Sequence, residues 1–234
     1  MIPQTSGKLK RIRARLALLS IEMMVVLTMF IISLIAFILI TRYVFILKDE
    51  QFDIIVFDFL KTHISERNTG IMLFFTFFGA HLFLFPANIV LIIFFLFIRK
   101  NKWYSIKIPA LALSSLGLMI LLKNLFGRHR PDLPLLKEAT GLSYPSGHAL
   151  MSVTFYGLLI YIVWQTVKNR YLKWALSILL IGMIFIIGVS RIYLRVHFPS
   201  DVLAGFATGF LWLVISIWIL NRLKNKSLLM QENK

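Results

Sequence analysis

Six long apolar stretches constrain this chain more than any other feature of its sequence. Most are close to the ~20 residues that a helix needs to cross a bilayer. Because hydrocarbon offers no hydrogen-bond partners, a spanning segment must be a helix or a strand of a closed barrel. Apolarity without alternation favours helices, so we predict an all-α, six-transmembrane-helix bundle. The predicted spans are Leu16–Ile40, Ile71–Ile98, Ser105–Leu122, His148–Val167, Trp174–Ile192 and Asp201–Leu220.

Composition points the same way. Hydrophobic residues make up 59% of the 234 residues, more than a soluble core of this size can bury. The chain has no cysteine, which excludes disulfides and thiolate metal sites. The first apolar stretch is too long for a signal peptide and lacks a small-residue cleavage site, so we expect it to be retained. We predict one membrane domain over 1–234, with cytoplasmic tails at 1–15 and 221–234.

Charge predicts the orientation of the bundle. The formal charge of +16 could suggest nucleic acid, but the basic residues lie mostly at the ends of the apolar stretches, where membrane topology explains them. With six spans, both tails and the second and fourth loops share one face, which is therefore predicted to be cytoplasmic. The basic residues of that face are Lys8, Lys10, Arg11, Arg13, Arg15, Arg99, Lys100, Lys102, Lys168, Arg170, Lys173, Arg222, Lys224 and Lys226. Acidic residues of the opposite face are Asp49, Glu50, Asp53, Asp58, Glu66, Asp132 and Glu138.

The first outer loop has a helical pattern of its own. Between Gln51 and Ile64 the apolar residues recur at helical spacing, while Asp53, Asp58 and Lys61 lie elsewhere on the wheel. This pattern predicts a short amphipathic helix at the membrane interface. A loop packed on top of the bundle remains an equal alternative. The apolar positions are Phe52, Ile55, Val56, Phe59 and Leu60.

Two cations follow the third span. Lys123 lies at its outer end, and Arg130-Pro131 follows seven residues later, with Gly127 allowing a bend between them. An arginine presents a planar fork to phosphate oxygens, and a lysine a mobile point charge. Each residue alone has an ordinary explanation, as a snorkelling lysine or a loop arginine. Together they could close on one anion.

The segment Pro145-Ser146-Gly147-His148 opens the fourth span. A proline and a serine before an apolar helix are ordinary start signals, so a plain N-cap is one interpretation. A helix N-terminus also presents free N–H groups and the positive end of the dipole, which suit an anion. Gly147 would let a ligand approach the backbone, and His148 would lie in the first turn.

The last group joins the fifth and sixth spans. Ser190-Arg191 ends one helix, and His197 and Asp201 lie at the start of the next. A carboxylate four residues after a histidine can accept the ring N–H across one helical turn, which leaves the other nitrogen as the better nucleophile. An aspartate that only favours the helix N-terminus would explain Asp201, but not Arg191 and His197.

Taken together, the three groups resemble the type 2 phosphatidic acid phosphatase superfamily. The family pattern is K-x6-R-P, then P-S-G-H, then S-R-x5-H-x3-D. This chain reads KNLFGRHRP at 123–131, PSGH at 145–148 and SRIYLRVHFPSD at 190–201, with every signature position filled. The run FFGAHLFLFPAN in the second span is similar to a less specific family segment. The family also includes soluble vanadium haloperoxidases, but the apolar spans place this chain with the lipid phosphatases.

The resemblance implies a role for each signature residue. His197 would be the nucleophile that becomes a phosphohistidine, Asp201 would orient it, and His148 would be the general acid and then the base. Lys123, Arg130 and Arg191 would bind phosphoryl oxygens, assisted by backbone N–H groups near Ser146 and Gly147 and by the Ser146 hydroxyl. With three cations present, we expect no metal and no cofactor. The remaining polar neighbours are expected to support the site or contact headgroups: Arg128, His129, Ser190 and Arg195.

The expected function is a metal-independent phosphatase acting on a lipid phosphate or diphosphate at the outer face of a bacterial cytoplasmic membrane. The expected partners are therefore a lipid phosphate and the bilayer. Candidate substrates are phosphatidylglycerol phosphate, phosphatidic acid, undecaprenyl diphosphate and the phosphates of lipid A. Two alternatives stay open at this point: a phosphotransferase, in which an acceptor hydroxyl replaces water, and a non-enzymatic lipid carrier with an anion site. The oligomeric state stays open too.

Overall fold

The computed structural model describes residues 5–132, 135 and 140–232, and side chains at 21 and from 23 onward within those ranges, up to 231. The predicted basic residues between Lys8 and Arg15 lie in a described helix, but their side chains are outside the described part. Glu138 and the two ends of the predicted tails, 1–4 and 233–234, are outside it as well.

Eight α-helices make up the described chain. Six segments are long and apolar enough to cross a membrane, which confirms the predicted all-α bundle with six spans. Five of them are α1, α5, α6, α7 and α8, and the sixth is α3 together with α4. The helices are α1 (Thr5–Arg42, followed by a π-helical turn at Tyr43–Leu47), α2 (Gln51–Lys61), α3 (Glu66–Phe77), α4 (His81–Ile93, followed by a π-helical turn at Phe94–Ile98), α5 (Lys102–Phe126), α6 (Gly147–Thr166), α7 (Arg170–Tyr193) and α8 (Pro199–Glu232).

The second span is interrupted, although the sequence predicted one continuous segment over Ile71–Ile98. The helix stops after Phe77 and restarts at His81. A Cβ atom on Gly79 would lie 2.5 Å from Ile187 Cγ2 and 3.1 Å from His148 Cδ2, so the backbone approaches α6 and α7 closely here. The Tyr156 hydroxyl donates to the Phe78 carbonyl at 2.9 Å, which satisfies a backbone group that the break releases.

Helix α6 lies at the centre of the bundle and packs against α5, α7 and α8, while α1 covers the outside of α8. Two glycines one turn apart let α6 and α8 approach. A Cβ atom on Gly205 would lie 2.7 Å from the Ser146 carbonyl oxygen, and one on Gly209 would lie 2.8 Å from that of Leu150. The Ser146 N–H donates to the Asp201 carbonyl at 2.9 Å. The two helix starts that carry the PSGH segment and Asp201 are therefore held side by side.

This close approach predicts a matched pair of stability effects. Gly205→Ala should destabilise the protein by about 1–3 kcal/mol, because the new methyl group meets a backbone carbonyl that cannot move aside cheaply. Gly117→Ala in α5 should be neutral or stabilising by up to about 1 kcal/mol, because the position faces open space and alanine favours a helix. Denaturation in detergent micelles measures both variants. Equal stability of the two would contradict the close packing of α6 on α8.

Helix α2 confirms the predicted helix in the first outer loop, and its position at the membrane interface stays a prediction. One of its side chains points the other way from the expectation. Phe52, Ile55 and Phe59 are exposed and available to lipid, whereas Asp53 is only 1% exposed. The amphipathic pattern favoured an aspartate in water. The structure buries it because three hydrogen-bond donors, from Arg128 and Ser200, surround its carboxylate.

Candidate active site

The predicted site residues all lie at one end of the bundle. Helices α5 and α7 run towards this end, and α6 and α8 start there, so residues far apart in sequence meet at the same level. The α5–α6 and α7–α8 loops lie there as well. The residues are Lys123 at the end of α5, Arg130 in the loop after it, Ser146, Gly147 and His148 at the start of α6, Arg191 near the end of α7, His197 in the next loop, and Asp201 in the first turn of α8.

His197 is enclosed between a polar pair and a cation. Its side chain is 2% exposed. On one side, Nδ1 lies 3.2 Å from the Ser143 hydroxyl, which in turn donates to Asp201 Oδ2. On the other side, Nε2 lies 3.4 Å from Arg130 Nη1. The ring therefore presents one nitrogen to a carboxylate through a hydroxyl and the other to a guanidinium.

The expected direct hydrogen bond between His197 and Asp201 is not the arrangement that the structure shows. Their nearest nitrogen and oxygen atoms are 3.6 Å apart, longer than a hydrogen bond. The reason is that α8 begins only at Pro199, so no regular helical turn connects the two residues. Asp201 Oδ2 instead accepts from the Phe198 N–H at 2.9 Å and from Ser143. Asp201 therefore acts on the ring through Ser143.

The hydrogen bonds determine which nitrogen of His197 is free. A serine hydroxyl has one hydrogen, and Ser143 gives it to Asp201. Ser143 can then only accept from His197, so the proton of the neutral ring is on Nδ1 and the lone pair is on Nε2. Burial lowers the pKa of His197 to about 4, although the neighbouring Asp201 opposes this shift. The ring is therefore neutral at pH 7, with Nε2 available as a nucleophile.

Backbone carbonyls of the α5–α6 and α7–α8 loops hold two of the cations. Lys123 donates to the Leu142 carbonyl, and Arg130 donates to its neighbours through all three of its nitrogens. Burial also lowers the pKa of Arg130 from its ordinary value, although Asp201 acts in the opposite direction. These contacts keep the Arg130 guanidinium beside the ring of His197. The carbonyls that accept from Arg130 are those of Thr140 at 3.0 Å, Gly141 at 3.0 Å and Val196 at 2.7 Å.

Arg191 is held by the broken second span. It is 4% exposed, and its Nη1 donates to the Thr76 hydroxyl of α3 at 2.7 Å. Its Nε is buried and has no hydrogen-bond partner within the part of the chain that the structure describes. His148 lies against Gly79, three residues after Thr76. The junction of α3 and α4 thus places Arg191 and His148 together and leaves a buried donor for an anion.

The start of α6 is capped by Ser146, as the sequence predicted. The backbone N–H of Ser146, however, is already hydrogen-bonded and is not free for a phosphate. Ser146 is fully buried, and its hydroxyl accepts from the Ala149 N–H at 3.5 Å. Its own N–H is used by the Asp201 carbonyl. The N–H groups of Gly147 and His148 precede the helical hydrogen-bond ladder and are the ones that remain for an anion. The predicted contact of the Ser146 hydroxyl with phosphate stays a prediction.

Residues without an assigned role in the sequence analysis complete the site. Arg128 was expected only as a neighbour, yet it bridges two buried carboxylates, Asp53 and Asp201. Ser143 lies three residues before Ser146 in a loop, and Thr76 lies in an apolar span, so neither position carried a signal in the sequence. Among the described residues, no three His, Asp or Glu side chains are grouped so as to hold a metal ion.

The fold and the site together define a polytopic membrane protein. Its site is buried and combines three cationic side chains with two histidines, a set suited to an anion such as phosphate. Residues 103–225 match the PAP2 superfamily. The chain belongs to this superfamily, and it is a membrane lipid phosphatase.

Known proteins support this assignment. The chain is 31% identical to phosphatidylglycerophosphatase B of Bacillus subtilis over 149 residues, which cover 63% of this chain and 71% of the relative. It is 25% identical to an undecaprenyl-diphosphatase of Sulfolobus acidocaldarius over 187 residues, 76% of this chain and 84% of the relative. Both relatives are named as phosphatases.

A solved structure has the same fold. A transmembrane PAP2-type phosphatidylglycerolphosphate phosphatase from Bacillus subtilis superposes with a TM-score of 0.75 at 23% identity, covering 82% of this chain and 96% of that one. Aquifex aeolicus LpxE superposes with a TM-score of 0.53 at 25% identity, covering 70% of this chain and 93% of that one.

Proposed function

We propose that this protein hydrolyses the phosphate ester or diphosphate of a membrane lipid through a phosphohistidine on His197, without a metal ion. The observation that carries the proposal is the orientation of the His197 ring. Its Nδ1 is occupied by Ser143, and its Nε2 faces the Arg130 guanidinium at 3.4 Å. A phosphoryl group bound by that guanidinium would be next to the free lone pair.

The chemistry requires two transfers. In the first, Nε2 of His197 attacks phosphorus, the bond from phosphorus to the lipid oxygen breaks, and His148 donates a proton to that oxygen. In the second, His148 takes a proton from water, the water oxygen attacks phosphorus, and the bond to Nε2 breaks. Lys123, Arg130 and Arg191 would stabilise the negative charge on the phosphoryl oxygens in both transition states.

The names of the relatives suggest the substrate class. One is a phosphatidylglycerophosphatase and the other an undecaprenyl-diphosphatase, so this chain is proposed to act on a phospholipid monophosphate or an isoprenoid diphosphate. The site lies at the end of the bundle, where the headgroup of a lipid rests while its tails stay among the spans.

The basic residues support a site on the outer face of a bacterial cytoplasmic membrane. The α4–α5 loop with Arg99 and Lys100, and the α6–α7 loop with Lys168, lie at the end of the bundle opposite to the site. Cytoplasmic loops carry an excess of lysine and arginine. We therefore place both termini in the cytoplasm and the site outside.

Phosphate release from purified lipids in detergent tests the reaction. Activity towards at least one of phosphatidylglycerol phosphate, phosphatidic acid or undecaprenyl diphosphate is expected. Most of it should persist in a chelator, because Lys123, Arg130 and Arg191 already supply positive charge. Orthovanadate, which mimics five-coordinate phosphorus, should inhibit. Activity that disappears in chelator and returns only with Mg²⁺ would contradict the three-cation site.

The natural absence of cysteine makes the orientation directly testable in whole cells. A cysteine at Glu50, exposed in the first outer loop, should react with an impermeant thiol reagent. A cysteine at Lys168, exposed in the α6–α7 loop, should react only after the membrane is opened. The neighbouring Asn169 is kept, because its side chain caps α7. The reverse labelling pattern would place the site on the cytoplasmic side.

A further inference from the structure

Asp53 is a buried carboxylate on a helix that contributes no signature residue to the site. Its Oδ1 accepts from the Ser200 N–H at 2.8 Å. Its Oδ2 accepts from the Ser200 hydroxyl at 2.7 Å and from Arg128 Nη2 at 2.9 Å. Helix α2 is thereby attached to the first turn of α8, beside Asp201. A lipid-facing helix that needed only to lie on the membrane would not bury a charged side chain in this way.

Arg128 links this carboxylate to the proposed nucleophile. Its Nη1 donates to Asp201 Oδ1 at 2.7 Å while its Nη2 donates to Asp53. The guanidinium also lies 3.8 Å from the centre of the Phe198 ring, which fixes its plane. A continuous chain of contacts therefore runs from Asp53 through Arg128, Asp201 and Ser143 to Nδ1 of His197.

The charges of this chain explain why two carboxylates share one guanidinium. Arg128 alone would neutralise Asp201, and the Nδ1 side of the His197 ring would then face no net charge. With Asp53 added, the three groups carry a net charge of −1. Bond formation between Nε2 and phosphorus makes the ring positive while Nδ1 keeps its proton. A net negative charge on the Nδ1 side stabilises that ring, and its effect is strong in a buried site.

We propose that Asp53 is a positioning residue for the phosphatase reaction, which holds Arg128 between two carboxylates and preserves a net negative charge behind His197. This inference rests on the proposed phosphohistidine chemistry. It makes α2, the predicted interfacial helix, a functional part of the site. Its effect should appear in the formation of the phosphoenzyme and not in the binding of phosphate, because Asp53 is on the far side of Arg128 from the ring.

The test compares Asp53→Asn with Asp58→Asn. Both variants remove one carboxylate from α2, but Asp58 is exposed. Asp53→Asn should lower kcat and the rate of phosphoenzyme formation by roughly tenfold to a hundredfold, by analogy with the loss of an outer hydrogen-bonding partner of a metal ligand. KM and the inhibition constant of inorganic phosphate should stay within about twofold, because the phosphate-binding cations are untouched. Asp58→Asn should match the wild type in all four quantities.

A charge effect can be separated from a packing effect at the same place. Ser200→Ala removes a hydroxyl that contacts both Asp53 and Arg128 but keeps all three charges. It should retain kcat within about fivefold of the wild type, well above Asp53→Asn. Equal losses in these two variants, or a parallel change in kcat and phosphate inhibition, would show a merely structural role and overturn the proposal.

A second variant covers the case in which Asp53→Asn does not give monodisperse protein. Asp53→Glu keeps the charge and should retain kcat within about tenfold at unchanged KM. A larger loss would overturn the proposal.

The experiment separates a failure of the Asp53 proposal from a failure of the proposed phosphohistidine mechanism. The wild type is first examined for phosphoenzyme and for phosphate release. A wild type that hydrolyses lipid phosphate without a phosphoenzyme would remove the proposed intermediate, and with it the charge argument. A wild type that forms the phosphoenzyme, beside an Asp53→Asn variant that forms it at the same rate, would remove only the role of Asp53.

Discussion

Replacing His197 by alanine is expected to lower phosphate release by at least about 10⁴-fold and to abolish the phosphoenzyme. The physical reason is that Nε2 of this ring is the free nitrogen beside Arg130, which we propose binds the phosphoryl group. Its partner Nδ1 is bound to Ser143, and burial keeps the ring neutral. Rapid-quench labelling with a ³²P-labelled lipid, followed by alkaline separation that preserves phosphohistidine, measures the intermediate.

A second histidine serves as the control for this experiment. His63 is exposed in the first outer loop. Its ring contacts only its own segment, including the Phe59 carbonyl, and its backbone carbonyl accepts from Asn68 and, at 3.4 Å, from the Tyr193 hydroxyl. His63→Ala should therefore keep wild-type turnover and labelling. A phosphoenzyme that persists in His197→Ala but disappears in His148→Ala would mean that the roles of the two ring residues are reversed.

Replacing His148 by alanine is expected to separate the two chemical steps. Turnover should fall by about 10²–10⁴-fold, the usual contribution of a general acid or base. With an aryl phosphate, whose leaving group needs little protonation, the first step should still occur. One equivalent of aryl alcohol should then be released in a burst, and the phosphoenzyme should accumulate because water has lost its base.

The leaving group provides the control for His148→Ala. In the same variant, an alkyl phosphate should form the phosphoenzyme much more slowly than the aryl phosphate, because its oxygen must be protonated as it departs. The wild type should show a smaller difference between the two substrates. Equal losses for both substrates without a burst would mean that His148 acts on neither proton.

The signature residues of the site could be predicted from sequence because their spacing is set by single helix ends. Lys123 and Arg130 flank the end of α5, and His148 lies in the first turn of α6. Each position is tied to a boundary between an apolar stretch and a polar loop, which hydropathy reveals. The direct contact of Asp201 with His197 was predicted from spacing too, and the geometry is different because α8 starts two residues after the histidine.

The apolar stretches and the three motifs by themselves determined the class of this protein: an all-helical membrane bundle with its signature residues at one end. They could do so because hydrocarbon leaves the backbone few options, and because each motif is local in the chain. Only the tertiary structure decided how His197, the proposed nucleophile, is supported. Asp53 bonds to Ser200 across 147 residues, Thr76 to Arg191 across 115, and Ser143 to His197 across 54. These are short polar side chains in a surface helix, an apolar span and a loop, where each has an ordinary local explanation. Their partners are defined only when the packing of α2, α3, α6, α7 and α8 brings them within hydrogen-bonding distance.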